Sequence, residues 1–161
     1  MPILYHAPAS RHPTPPCTIT CLFEHQVQLY PFDPAVEFEN QPPISFSQLK
    51  HLSNRIAGAL PVQPGSIVPI CLDLSVELIA SILGVLGCGA AYVILDPAGS
   101  VERNRFIVEE VHADFVMTSE RYSDLFQSSV IVDDLLVNAA SRGWKNGMKD
   151  MPKDLDCNYP A

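Results

Sequence analysis

The chain has 161 residues, of which 47% are hydrophobic and 17% are charged, and its formal net charge is −8. This length suits a single domain, or one lobe of a larger domain, with a sizeable buried core. The negative charge argues against nucleic acid and against an anionic membrane surface as partners, because both attract a basic face. The composition predicts an acidic, core-forming polypeptide rather than a disordered one.

The first part of the chain is rich in proline, since 11 of the 15 prolines lie within the first 64 residues. Residues 1–17 therefore predict an extended, disordered lead-in. Thr18 or Thr20 is a suitable N-cap for a first helix. Short β-prone runs over 35–38 and 44–46 flank a turn signal and predict a hairpin, which would join the main sheet or lie at its edge.

The middle of the chain predicts alternating helices and strands. An amphipathic pattern indicates a helix over 47–60, with Ser47 as a suitable N-cap. Further along, Ser75 and Ser100 are placed to cap two more helices. The predicted strands are 67–72, 91–95, 114–118 and 129–132, and the helices between them are 75–87, 100–111 and 120–126. This alternation predicts an α/β fold with a parallel-rich sheet and flanking helices.

Two apolar stretches and a polar tail complete the organisation. Residues 91–95 are continuously apolar, which is typical of a strand covered on both faces. The charge-free run 78–95 is a candidate for a membrane span, but its glycines and flanking acidic residues favour a buried helix followed by a strand. The expected organisation is a lead-in over 1–17, an α/β lobe over 18–136, and a tail or linker over 137–161.

The five cysteines do not follow the spacing of a disulfide framework or of a metal site. We therefore expect ordinary thiols in a reducing compartment. Together with the lack of an apolar leader segment at the start, this predicts a cytoplasmic location. The cysteines are Cys17, Cys21, Cys71, Cys88 and Cys157.

Several features could carry chemistry, and each has a plainer structural explanation. Gly84, Gly87 and Gly89 close a helix instead of opening one, so they predict a helix C-cap and close helix–strand packing rather than a phosphate loop. The pair 109–110 predicts a solvated helix face, whereas the acidic pair 133–134 follows a strand, where ligands of parallel sheets gather. The isolated histidines are His25, His51 and His112. From the residues alone, we predict no catalytic, cofactor-binding or metal-binding residue.

Residues 86–97 read Leu-Gly-Cys-Gly-Ala-Ala-Tyr-Val-Ile-Leu-Asp-Pro. This segment resembles the second core motif of adenylation domains, the AMP-forming ligase modules of nonribosomal peptide synthetases. Residues 101–107 and 113–118 resemble the helix and the strand that follow that motif, and residues 44–57 resemble the first core motif. The resemblance covers about 18–136 and is to fungal synthetases in particular.

The resemblance implies the first portion of the N-terminal lobe of an amino-acid-activating, AMP-forming ligase, associated with secondary-metabolite biosynthesis. Family members use ATP and Mg, but their phosphate loop, substrate pocket and catalytic lysine have no counterpart among these residues. No catalytic, cofactor-binding or metal-binding position can therefore be carried over, and we expect a truncated product that is inactive alone. The alternative is a non-catalytic interaction module that partners an intact synthetase or self-associates through an exposed sheet edge.

Overall fold

The computed structural model describes residues 18–38 and 41–141. Its helices are α1 (Ile19–Leu29), α2 (Phe46–Ala59), α3 (Val76–Gly87), α4 (Val101–Glu110) and α5 (Val132–Ser141). Its strands are β1 (Pro34–Val36), β2 (Ile44–Ser45), β3 (Ile67–Cys71), β4 (Ala91–Ile94), β5 (Val116–Thr118) and β6 (Ser129–Ile131), with a 3₁₀ helix over Glu120–Leu125. The predicted lead-in and most of the predicted tail lie outside the described residues, while α5 crosses the predicted boundary after residue 136.

Hydroxyl side chains begin four of the helices. Thr18 caps α1, and Ser75 and Ser100 cap α3 and α4 as predicted. The cap of α2 is Ser45 rather than the predicted Ser47. The reason is a capping box, in which the Ser45 side chain accepts from the backbone of Gln48 and the Gln48 side chain accepts from the backbone of Ser45.

The four later strands form one parallel sheet with the order β4-β3-β5-β6. The predicted parallel α/β architecture is thus confirmed, but the prediction that 91–95 is covered on both faces is wrong. In the described part of the chain β4 is an edge strand, and its residues Tyr92 and Ile94 are 38% and 44% exposed. A run of apolar residues shows that a strand can be buried. Whether the strand lies at the centre or at the edge of its sheet is decided by tertiary packing.

The hairpin is separate from the main sheet, contrary to the expectation that it joins that sheet or lies at its edge. β1 and β2 pair antiparallel in a sheet of their own. Its second strand is short because Phe46 already belongs to α2, and the Phe46 N–H donates to the carbonyl of Asp33. These contacts attach the hairpin to the start of α2.

Apolar side chains cover the parallel sheet on both faces. On one face, Val68 and Ile70 of β3 pack in a large core with side chains from α2, α3 and α5. On the other face, Cys71 packs in a smaller cluster with Ile107 and Val108 of α4. Consecutive residues of a strand point to opposite faces, so β3 contributes to both clusters. The sheet is therefore the middle layer of a three-layer, doubly wound arrangement.

Candidate functional site

Acidic residues follow every strand of the parallel sheet. Asp73, Asp96 and Glu120 each lie two residues after the end of β3, β4 and β5, and the pair 133–134 begins two residues after β6. The carboxyl ends of parallel strands meet at one edge of a sheet, where doubly wound proteins bind their ligands. Arg121 is the one basic residue in the connecting segments 72–75, 95–100 and 119–128, which follow β3, β4 and β5. This edge, the carboxyl edge, is therefore acidic.

Three of the side chains at the carboxyl edge bind one another. The Tyr122 hydroxyl donates to the Asp73 carboxylate, with distances of 2.9 and 3.0 Å to Oδ1 and Oδ2. Arg121 Nη1 lies 3.4 Å from Asp73 Oδ2, and the guanidinium carbon lies 5.1 Å from the centre of the Tyr122 ring. The hydrogen bond to the Asp73 carboxylate raises the pKa of the Tyr122 phenol, because deprotonation would place two anions side by side. The Asp73 carboxylate is thus already partnered.

A cleft of about 470 Å³ opens at the carboxyl edge. β4 and β5 lie on opposite sides of β3, so the strand order reverses here, as at the ligand sites of doubly wound sheets. The cleft is lined by Leu72, Asp73, Leu74, Asp96, Pro97, Ala98, Arg121 and Tyr122. Its wall is thus part apolar and part acidic, with a single guanidinium.

Asp96 holds the loop that follows β4 and forms one wall of the cleft. Its side-chain Oδ1 accepts from the Ala98 N–H at 2.9 Å. Its backbone carbonyl accepts from Nδ2 of Asn104 at 2.8 Å, and Asn104 is buried. A short polar side chain that bonds to the backbone two residues on is typical of an Asx turn. The Asp96 carboxylate therefore has a structural task that accounts for its place after the strand.

Two thiols within the described residues are free, and neither has the character of a nucleophile. Burial, with smaller contributions from the Asp73 and Asp96 carboxylates, raises the pKa of the Cys71 thiol to about 11. Burial also raises the pKa of the Cys88 thiol. Thiolate is the reactive form, so both groups are inert at neutral pH. At Cys21 the expectation of a free thiol is wrong, because this residue is disulfide-bonded.

The three glycines that the sequence singled out have separate structural roles. Gly89 follows the end of α3 with a φ of +70°, which agrees with the predicted C-cap. Gly84 lies against α2, where an added Cβ would be 2.9 Å from Cγ2 of Ile56. The predicted close packing is therefore between two helices rather than between a helix and a strand. A Cβ at Gly87 would meet nothing within 4 Å.

The remaining sequence candidates do not converge on one site. Glu109 and Glu110 are exposed at the end of α4, as predicted, whereas the pair 133–134 lies in the first turn of α5, where the helix dipole favours acidic residues. The histidines lie on three different elements: His25 in α1, His51 in α2 and His112 just after α4. Among the residues that the structure describes, no three His, Cys, Asp or Glu side chains gather as metal ligands.

The residues that do meet at the carboxyl edge were not found from the sequence. Asp73 and Asp96 carry a usable signal, because each follows an apolar strand at the end where ligands bind. Arg121 and Tyr122 carry none, since their contact with Asp73 spans 48 and 49 positions and depends on β5 lying beside β3. That neighbourhood is a consequence of the strand order.

No helix within the described ranges is long and apolar enough to cross a bilayer. The charge-free run 78–95 consists of most of α3 followed by β4, which agrees with the expected helix and strand.

The fold is that of an N-terminal subdomain of an adenylate-forming enzyme. It matches the N-terminal subdomain of NpsA from Klebsiella oxytoca with a TM-score of 0.70 and 20% identity, covering 76% of this chain and 33% of that one. The chain belongs to the AMP-binding enzyme family, whose model matches residues 23–154. The predicted fold class and the resemblance to adenylation domains are thereby confirmed.

The similar curated proteins are much longer than this chain. The chain is 41% identical over 129 residues to nonribosomal peptide synthetase sidE from Aspergillus fumigatus, an alignment that covers 80% of the chain and 6% of that synthetase. It is 34% identical over 119 residues to surfactin synthase subunit 1 from Bacillus subtilis, covering 72% of the chain and 3% of that protein. The chain thus spans a small part of the length of the relatives that it matches.

Proposed function

We propose that this chain forms the structural first part of an adenylation domain of a synthetase of peptide secondary metabolites, and that it does not activate amino acids by itself. The observation that carries the proposal is the acidic carboxyl edge. In a doubly wound sheet this is the edge at which a nucleotide would bind. Here each strand end is followed by a carboxylate, and the guanidinium of Arg121 is paired with Asp73.

The residues at the carboxyl edge do not fit ATP. A triphosphate needs backbone N–H groups and cations placed around it, as in a glycine-rich loop with a lysine. The cleft instead contains the carboxylates of Asp73 and Asp96, and like charges would repel the phosphates. Lys50, the one lysine within the described residues, forms a salt bridge with Glu24 of α1 and does not line the cleft. ATP and Mg would therefore be held by other segments of an adenylation domain.

A graft tests the structural role. The segment of the Aspergillus fumigatus synthetase that aligns with this chain would be replaced by the corresponding residues of this chain. We expect the hybrid adenylation domain to retain amino-acid-dependent ATP–pyrophosphate exchange with the amino-acid preference of the parent. A matched control would carry the same graft with Gly84→Leu, which blocks the contact between α2 and α3. A change of preference with the graft would contradict the proposal, because it would place substrate recognition in this chain.

The second candidate function is that of a non-catalytic partner of an intact synthetase. The observation that favours it is β4, which is an edge strand among the described residues and carries exposed apolar residues and no charge. Co-purification of the chain with a synthetase would support this role. In either case we propose a cytoplasmic location, where ATP and amino acids are available; the disulfide at Cys21 gives this location no support.

A further inference from the structure

We propose that residues 142–153 of this chain dock on the cleft at the carboxyl edge of the sheet. The segment follows α5 directly and lies outside the described residues. It contains four basic residues and one acidic residue, so its net charge is +3, and the total of −8 leaves −11 on the rest of the chain. The basic residues of the segment are Arg142, Lys145, Lys149 and Lys153. The segment and the carboxyl edge are thus complementary in charge.

The surface around the cleft offers apolar contacts as well as charge. Leu74, which lines the cleft, is 77% exposed. Ile94, the last residue of β4, is 44% exposed and pairs in register with Ile70 near the end of β3. Large apolar side chains that are this exposed beside a cleft are typical of a surface that is covered by a partner.

The segment supplies matching side chains. Met148 and Met151 are flexible, apolar and one helical turn or one short extended stretch apart, and methionine sulfur packs well against an aromatic ring such as that of Tyr122. Lys149 lies between the two methionines and Lys153 follows them, and both lysines would approach the carboxylates of Asp73 and Asp96. Docking would therefore bury apolar surface and bring opposite charges together at the same place.

The chain is long enough for this contact. The ten residue steps from Ser141 to Met151 can span up to about 34 Å when extended. A domain of about 120 residues has a radius of gyration of about 14 Å, so either edge of the sheet is within reach. The segment would then cover the carboxyl edge of its own lobe.

Methionine methyl NMR on the complete 161-residue chain tests this. The chain has four methionines, and Met117 is fully buried, so its signal reports an intact core. With ¹³C-methyl labelling, we expect the Met148 and Met151 signals to differ from those of a synthetic 142–153 peptide because of the Tyr122 ring. Asp73→Asn with Asp96→Asn should return both signals to the peptide positions while Met117 stays unchanged. Glu109→Gln with Glu110→Gln, which removes equal charge from the surface of α4, should leave all signals in place.

A second variant distinguishes loss of docking from misfolding of the lobe. Lys149→Glu with Lys153→Glu changes only the segment and should also release the two methionines. The shifts should weaken in high salt, because the attraction is between exposed charges. Met148 and Met151 signals at the peptide positions in the unmodified chain would overturn the proposal. Signals that stay unchanged when Asp73→Asn and Asp96→Asn are introduced would also overturn it. Shifts that grow with protein concentration even when Tyr92→Lys weakens pairing between β4 edges would also overturn it, because the occupant would then be the segment of a second copy.

Discussion

Gly89 and His112 occupy equivalent positions just after α3 and α4. In both helix ends, the N–H groups of this residue and of the next one donate back to carbonyls of the last turn, in the pattern of a Schellman motif. The motif needs a left-handed residue, with φ of 70° at Gly89 and 50° at His112. Glycine adopts this conformation freely, whereas a residue with a Cβ is strained by roughly 1–2 kcal/mol.

The strain at His112 makes it a site for stabilisation. We expect His112→Gly to raise the free energy of unfolding by up to about 1 kcal/mol, since the relief of strain exceeds the entropy that glycine adds to the unfolded chain. His112 is exposed, so few contacts are lost. Urea denaturation followed by circular dichroism measures the change. The matched control is His51→Gly in the middle of α2, where the same replacement should destabilise by about 0.5 kcal/mol. Equal effects at the two positions would contradict this account.

Gly84 is required by the close crossing of α2 and α3. A Cβ there would lie 2.9 Å from Cγ2 of Ile56 and 3.0 Å from the carbonyl oxygen of Ser53, and the backbone oxygen cannot move aside alone. We expect Gly84→Ala to destabilise by about 1–2 kcal/mol, because overpacking outweighs the better helix propensity of alanine. Gly58 of α2 has nothing within 4 Å of the same position, so Gly58→Ala should instead stabilise. If Gly84→Ala and Gly58→Ala both lowered the free energy of unfolding, helix propensity and the space around each glycine would not explain the effects.

At the scale of the elements, local signals in the sequence predict that a helix or a strand forms better than they predict where it lies in the fold. Ser75 and Ser100 precede their helices as predicted, because an N-cap is a contact within one turn. The predicted cap Ser47 is wrong by two residues, because Ser45 forms a capping box with Gln48. The edge position of β4 could not be predicted, since the order of strands depends on contacts between distant parts of the chain.

The same limit applies to the candidate site. That an acidic residue follows each predicted strand can be read from the sequence, and the fold then gathers these residues at one edge. The contact of Tyr122 and Arg121 with Asp73 could not be predicted, because it requires β5 to lie beside β3 rather than beside β4. A site made of side chains from separate loops becomes visible only when the topology is known.

The edge strand β4 predicts association of the isolated chain. Its outer side lacks a partner strand in the described part of the chain, and it has none of the charged or proline residues that protect natural edges. We expect the purified chain to self-associate, and Tyr92→Lys to reduce the associated fraction in analytical ultracentrifugation. Phe106→Lys is the control, because this residue is also exposed, at 60%, but belongs to α4 and not to the sheet. A monodisperse unmodified chain would contradict the expectation.

At the scale of the whole molecule, the chain combines a lobe that has a filled core with an acidic carboxyl edge. Two apolar clusters fill both faces of the parallel sheet. Its carboxyl edge carries the carboxylates of Asp73 and Asp96, and Arg121 is already paired with Asp73. The AMP-binding family match and the small share of each relative that the chain spans fit a structural lobe whose chemistry is completed by other segments.

Amino-acid-dependent ATP–pyrophosphate exchange by the purified 161-residue chain tests this account most directly. Activation requires ATP and a carboxylic acid held in line, with positive charge around the reacting phosphorus. The acidic carboxyl edge does not provide that environment. Across the twenty amino acids and common aryl acids, we expect exchange no greater than that of a heat-denatured control, from protein whose circular dichroism confirms a folded lobe. Reproducible exchange above that control with any of these acids would contradict the account.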